Sequence, residues 1–223
     1  MDRQNDRSKL LGEEEVGKLL LQFSIPAIVG MLVNALYNIV DRIFIGKGVG
    51  SIGIGAIFVA SPVSLILMAF SMLIGVGGNS LSSIKLGEGK KDEAEQILGN
   101  ALVLLFIIAL TLGILGLVFI GPLLQAFGAS ETILPYSIAY MSIILIGAPF
   151  QAVGFGMNNF IRGEGNPRIA MGTMLIGAIL NIILDYVFIF ILDMGIKGAA
   201  LATIIAQAVS AIWVLRYFFG SKS

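Results

Sequence analysis

Residues 169–192 read IAMGTMLIGAILNIILDYVFIFIL. A helix of this length rises about 36 Å, enough to cross a hydrocarbon core of about 30 Å. One formal charge, Asp185, lies inside it, and Asn181 stands one helical turn earlier. An ionisable group at membrane depth is costly and marks an ion or solute pathway by default. This stretch therefore predicts a membrane-spanning helix that carries part of a site.

Five more apolar stretches surround it. The predicted spans are 17–45, 53–83, 93–120, 132–159, 168–192 and 197–218. Hydrophobic residues make up 57% of the chain and charged residues 13%, whereas a soluble domain carries about 25% charged. The fold class expected is an all-α membrane protein of six transmembrane helices. Residues 1–16 form a cytoplasmic N-terminal segment, 17–218 the six-helix lobe and 219–223 a cytoplasmic tail. Gly, Pro and charge separate the spans at 85–92, at Gly121-Pro122 and Gly128, at 162–168 and at 193–195. Connections this short make consecutive helices antiparallel neighbours.

Basic residues orient the chain. Eleven of them (Arg3, Arg7, Lys9, Lys18, Lys85, Lys90, Lys91, Arg162, Arg168, Arg216 and Lys222) fall on one side, and three (Arg42, Lys47 and Lys197) on the other. By the positive-inside rule both termini are cytoplasmic, in a multi-pass protein of the inner or plasma membrane. The chain has no Cys and no His, and zero net charge. That argues against disulfide scaffolds, thiolate nucleophiles, the usual zinc sites and the usual general base. It also gives no field for nucleic acid. No nucleophile–base pair points to an enzyme.

The first span holds Asn34, Asn38 and Asp41 at i, i+4 and i+7, one helix face, with Tyr37 beside them. Asn181 and Asp185 form a second stripe, and Thr203, Gln207 and Ser210 a third. Facing lipid, each would leave polar groups unpaired in hydrocarbon at several kcal/mol. All three must face protein or a water-filled cavity. Converged, they give two carboxylates, amide oxygens and hydroxyls, a set suited to a hard cation or a proton. Asn34, Gln207 and Ser210 also fit plain helix–helix hydrogen bonding, and Asp41 also fits pairing with Arg42 or Lys47. Pro26 fits a gating hinge or an ordinary bend. Gly75, Gly77, Gly78, Gly113 and Gly116 fit close helix approach. The Gly87/Gly89 and Gly163/Gly165 loops lack the strand–helix setting of a phosphate cradle. Asp41-Arg42-Ile43-Phe44-Ile45 echoes Asp185-Tyr186-Val187-Phe188-Ile189.

The run from Asn158 through Pro167, the pair Asn181 and Asp185, and Gly195-Ile196-Lys197-Gly198-Ala199-Ala200-Leu201-Ala202-Thr203 resemble a multidrug and toxic compound extrusion (MATE) transporter. The nearest branch is the bacterial DNA-damage-inducible-F-like one. Pro26 through Asp41, and Gly87 through Ala94, add to the resemblance, which covers residues 17–218. It implies export of organic cations, drugs or other amphipathic compounds, driven by inward Na⁺ or H⁺, with no other cofactor. Asp41, Asn181, Asp185 and Thr203 match that family's ion site, and Asn34, Tyr37, Asn38 and Gln207 then face the substrate. Tyr186 stands where many relatives carry Pro. Such transporters have twelve helices in two lobes, so this chain reads as the N-terminal lobe, N-in and C-in. Its expected partners are the bilayer, a small amphipathic or cationic substrate, and a second six-helix lobe or a second copy of itself. The alternatives are a lipid-linked oligosaccharide flippase of the same superfamily, for which no basic residue is evident in the cavity, and a non-transporting fragment or assembly partner.

Overall fold

The computed structural model describes residues 15–220. Most of the two terminal segments assigned from sequence, and Arg3, Arg7, Lys9 and Lys222, lie outside the described residues. The chain forms helices α1 (Val16–Gly48), α2 (Ser51–Gly87), α3 (Lys91–Val118), α4 (Ile120–Ala126), α5 (Leu134–Gly163), α6 (Pro167–Tyr186) and α7 (Gly195–Phe219). Among the described residues, six helices are long and apolar enough to cross a membrane, and α4 is the short exception. Large apolar side chains such as Leu20, Phe58, Val103, Ile146, Ile183 and Ile212 are exposed around the bundle, as a surface in contact with lipid requires.

Several boundaries differ from the sequence reading. The second helix runs on to Gly87, and the Gly121-Pro122 break proves helical, as α4. Pro122 is the third residue of α4. The first turn of a helix has no intrahelical acceptor for its N–H groups, so proline costs nothing there. After Tyr186 the fifth span widens into a π-helical turn, Val187–Ile191. The departure from α geometry thus occurs without the proline.

Two connections share one device. Gly89 and Gly165 adopt φ of 76° and 79°, a left-handed region open to glycine at no steric cost. Gly165 N–H donates to the Arg162 carbonyl at 3.0 Å and Asn166 N–H to that of Ile161 at 3.1 Å. Gly89 and Lys90 repeat the pattern on Leu86 and Lys85. This is the Schellman closure of a helix end. It is why Gly-Glu-Gly recurs at 87–89 and 163–165: these glycines end helices.

The core is organised around α5. Half of its most apolar stretch is buried, the largest share of any span. Met141, Ile144, Leu145, Ala148, Met157, Phe160 and Ile161 fill it, against α2, α3 and α7. Small residues let backbones touch. A Cβ on Gly75 of α2 would lie 2.6 Å from the Gly156 carbonyl oxygen of α5, and one on Gly113 of α3 would lie 2.9 Å from that of Leu145. Gly78 and Gly116 meet side chains, whereas Gly77 meets nothing. By contrast α1 leans chiefly on α6, and only 12% of its apolar stretch is buried.

Candidate functional site

Helices α1, α2, α5, α6 and α7 line an open cavity of about 340 Å³. Asn34 and Tyr37 line it from α1, Asn181 from α6, and Thr203, Gln207 and Ser210 from α7. The three predicted stripes therefore converge. Apolar wall is supplied by Met31, Met68, Met72, Phe150 and Phe155.

Asn38, Asp41 and Asp185 are not in the cavity lining. Tyr37 and Asn181 line it, and each stands one helical turn before its aspartate. The carboxyls thus lie just beyond the cavity, toward the end where α1 meets α2 and α6 meets α7. We call this the Asp185 end, and the opposite one the Arg162 end. Asp185 is 0% exposed and Asn181 2%. Asp41 is half-buried on α1, close enough to Asp185 for the two carboxyls to share a hydrogen bond when one proton sits between them. Among the described residues, no ion pair within 4 Å joins Asp41 to Arg42 or Lys47.

Apolar packing closes this end. Ile45, Ile189 and Ala199 form a small buried cluster. Phe44 meets Phe190 edge-on at 5.5 Å, and the Tyr186 ring lies tilted against both. The two segments that echo each other in sequence are thus packed together, with the π turn presenting Ile189 and Phe190 to α1. π turns inside helices frequently occur at functional sites.

Hydrogen bonding separates the roles of the polar residues. Asn38 donates to the Asn34 backbone carbonyl at 2.7 Å and to its side-chain oxygen at 3.0 Å, so that pair is satisfied within α1. Thr203 donates to the Ala199 carbonyl at 3.0 Å and accepts from Asn181 at 3.5 Å. Ser210 donates to the Thr173 carbonyl at 3.5 Å, bonding α7 to α6. The buried side-chain atoms without a protein partner are one oxygen each of Asp41, Gln151, Asn158, Asn181 and Gln207, and both of Asp185. Among the described residues, every such atom is an acceptor. Buried acceptors without donors cost about 1–3 kcal/mol each, and more when charged. Chemically, such acceptors can take up a proton, a hard cation or a donor-bearing ligand.

The sequence reading missed the contribution of α5. Gln151, Asn158, Asn159 and Arg162 all line the cavity. Gln151, Phe155, Asn158 and Arg162 follow one another at i, i+4, i+7 and i+11, the rule that found the other stripes. The missed signal was periodic, hidden because Arg162 adjoins the Gly-rich turn. Its presence also corrects the expectation that the cavity holds no basic residue. Pro26 is buried within α1 but is not among the cavity-lining residues.

The MatE family model matches residues 26–187. The chain belongs to the MatE family. This MatE chain is 32% identical over 206 residues to the multidrug export protein MepA of Staphylococcus haemolyticus, covering 92% of this chain and 46% of the relative. It is 33% identical over 209 residues to an FAD transporter of Shewanella oneidensis, with 92% and 46% covered. Among solved structures, the MATE multidrug transporter DinF-BH superposes with a TM-score of 0.90 at 45% identity, covering 95% of this chain and 48% of that one. The MatE chain spans about half the length of the relatives it matches. It is a multi-pass membrane protein with the fold of one transporter lobe.

Proposed function

We propose that this chain is one lobe of an exporter of organic cations, drugs or other amphipathic compounds, driven by inward Na⁺ or H⁺. The observation that carries the reading is the surplus of buried acceptors beside a mostly apolar cavity. Asp185 and Asp41 hold the coupling ion, and Asn181 and Thr203 complete its shell. A proton would bridge the two carboxyls, and Na⁺ would instead draw on both of them and the Asn181 oxygen. Asn34, Tyr37 and Gln207 face the substrate, while Asn38 fixes Asn34. Pro26 frees a carbonyl in α1 and serves as a hinge through which α1 moves against α6.

One lobe supplies one wall, and alternating access needs two repeats rocking about a site between them. A second six-helix lobe, or a parallel second copy, closes the cavity, and both termini face the cytoplasm. The lightly buried α1 and the half-length match to relatives support this arrangement. The test is dye efflux from proteoliposomes bearing the full chain, under an imposed Na⁺ or proton gradient, with native mass spectrometry to read the assembly. Efflux that needs the gradient and is lost in Asp185→Asn supports the reading. Efflux unchanged in that variant refutes the ion site, and a monomer that carries out ion-driven efflux refutes the need for a partner.

A further inference from the structure

Among the described residues that line the cavity, only Arg162 carries a formal charge. Its half-buried guanidinium donates to the Met174 thioether at 3.2 Å. A thioether is a weak acceptor for a group with five N–H donors. Among the described residues, no carboxylate pairs with Arg162 within 4 Å. Glu164, two residues on, accepts instead from the Tyr217 hydroxyl at 2.9 Å. Of the neighbouring amides, Asn158 donates to the Ala170 carbonyl at 3.1 Å and Asn159 to that of Phe155 at 3.0 Å, while the Asn158 side-chain oxygen has no partner. The buried carboxyls thus lie beyond one end of the cavity, and a cationic donor without a carboxylate partner lies at the other.

We propose that Arg162 forms a subsite for the anionic group of an amphipathic ligand, a carboxylate, sulfonate or phosphate gripped by the planar guanidinium fork. The apolar body of the ligand lies along Met31, Met68, Met72 and Phe155. Met174, which marks the subsite on α6, and Asp185 are eleven residues apart, about 16 Å of helix rise. An anion at Arg162 is therefore remote from the Asp185 and Asp41 carboxylates. The chamber accepts anionic as well as cationic amphiphiles, each oriented toward its own end. This rests on the reading of the cavity as a substrate chamber.

The test reads binding, so it is decided even where the chain fails to transport. Fluorescein and a cationic rhodamine ester share a xanthene core and carry opposite charge at pH 8. Fluorescence anisotropy of each dye is measured against the purified full chain in an uncharged detergent. Fluorescein should bind Arg162→Gln at least about tenfold more weakly than the parent, the loss of one charge-assisted bidentate contact. The rhodamine ester should change by less than about twofold, as it makes no such contact. Arg162→Lys should restore part of the fluorescein affinity, since a point charge replaces the fork. Met174→Leu, which keeps the guanidinium, should retain it. Competition with phosphatidylglycerol against phosphatidylcholine separates the two sources of such an anion. Displacement by phosphatidylglycerol alone assigns the subsite to a lipid headgroup, no displacement assigns it to a soluble amphiphile, and either keeps the anion site. Equal fluorescein affinity for the parent and Arg162→Gln, or equal loss of both dyes, overturns it.

Discussion

The two ends of the lobe bury polar groups in opposite ways. At the Arg162 end several of them are bonded to one another. Asn166 donates to the Tyr217 hydroxyl, which donates to Glu164, joining the α5–α6 turn to the last turn of α7. Asn158 reaches across to α6, and the turn itself is closed by backbone bonds. At the Asp185 end Asp185 is buried as deeply, yet both its carboxyl oxygens lack a protein donor. Burial of a polar group therefore does not mark function in this molecule. The open carboxylate acceptors of Asp185 are what set the two ends apart, since leaving a buried acceptor unbonded is costly.

The sharpest way to break this contrast is Asp185→Asn. It keeps the size of the side chain and removes the charge. If the open acceptors exist for a coupling ion, ion-driven efflux should fall by about two orders of magnitude, as befits an intramembrane carboxylate with a coupling role. The melting temperature in detergent should not fall, since the amide can donate to Asp41 where the carboxylate could not. A variant that still transports but melts lower would make Asp185 a structural residue. Tyr217→Phe tests the other end. It deprives buried Asn166 of its acceptor and Glu164 of a donor, so stability should drop by about 1–3 kcal/mol. The Na⁺ or pH dependence of the surviving activity should stay as in the parent. A shift in ion dependence would show that the network reaches the ion site.

Thr203→Val probes the border between the two modes. The Thr203 hydroxyl both bonds the Ala199 carbonyl and accepts from Asn181. Its loss frees the Asn181 amide and should cost about 1 kcal/mol of stability. It should also weaken Na⁺ binding several-fold, read by isothermal titration calorimetry of the full chain, if the hydroxyl is a ligand. Stability lost with Na⁺ affinity intact would confine Thr203 to packing.

Much of this was legible in the sequence, because helical spacing is a local rule. The six spans follow from apolar length. Five side chains assigned to the site or substrate cavity (Asn34, Tyr37, Asn181, Thr203 and Gln207) do line the chamber. The approach of Asp41 to Asp185 was not legible in that way. It depends on α1 leaning on α6 rather than α2, and no periodicity within either helix specifies a neighbour. The π turn after Tyr186 was also hidden, since no proline or glycine announces it. Arg162 was read as loop charge, yet the i+11 relation to Gln151 already placed it on the cavity face. Adjacency to a glycine-rich turn outweighed periodicity in that reading, and the structure reverses the order.

The smallest effect belongs outside the bundle, at the α2–α3 connection of the Arg162 end. Glu88 accepts from Lys90 at 3.0 Å and Lys85 at 3.2 Å, and Lys85 also reaches Glu93 at 3.0 Å. These ammonium groups, Lys90 foremost, hold the Glu88 carboxyl below its usual range. A lowered folded-state pKa contributes stability that is present above the ordinary carboxylate pKa and is lost as pH falls through the lowered one. The cluster is solvated, however, and exposed ion pairs are screened by salt and contribute little. The connection is already closed by the backbone bonds of Gly89 and Lys90. Glu88→Gln should therefore leave the melting temperature unchanged at neutral pH and flatten only a faint dependence on acidic pH, seen at low salt and absent at high salt. A clear loss of stability at high salt would mean that this loop joins α2 to α3 through its charges, and this end of the lobe would then rest on more than the hydrogen bonds described above.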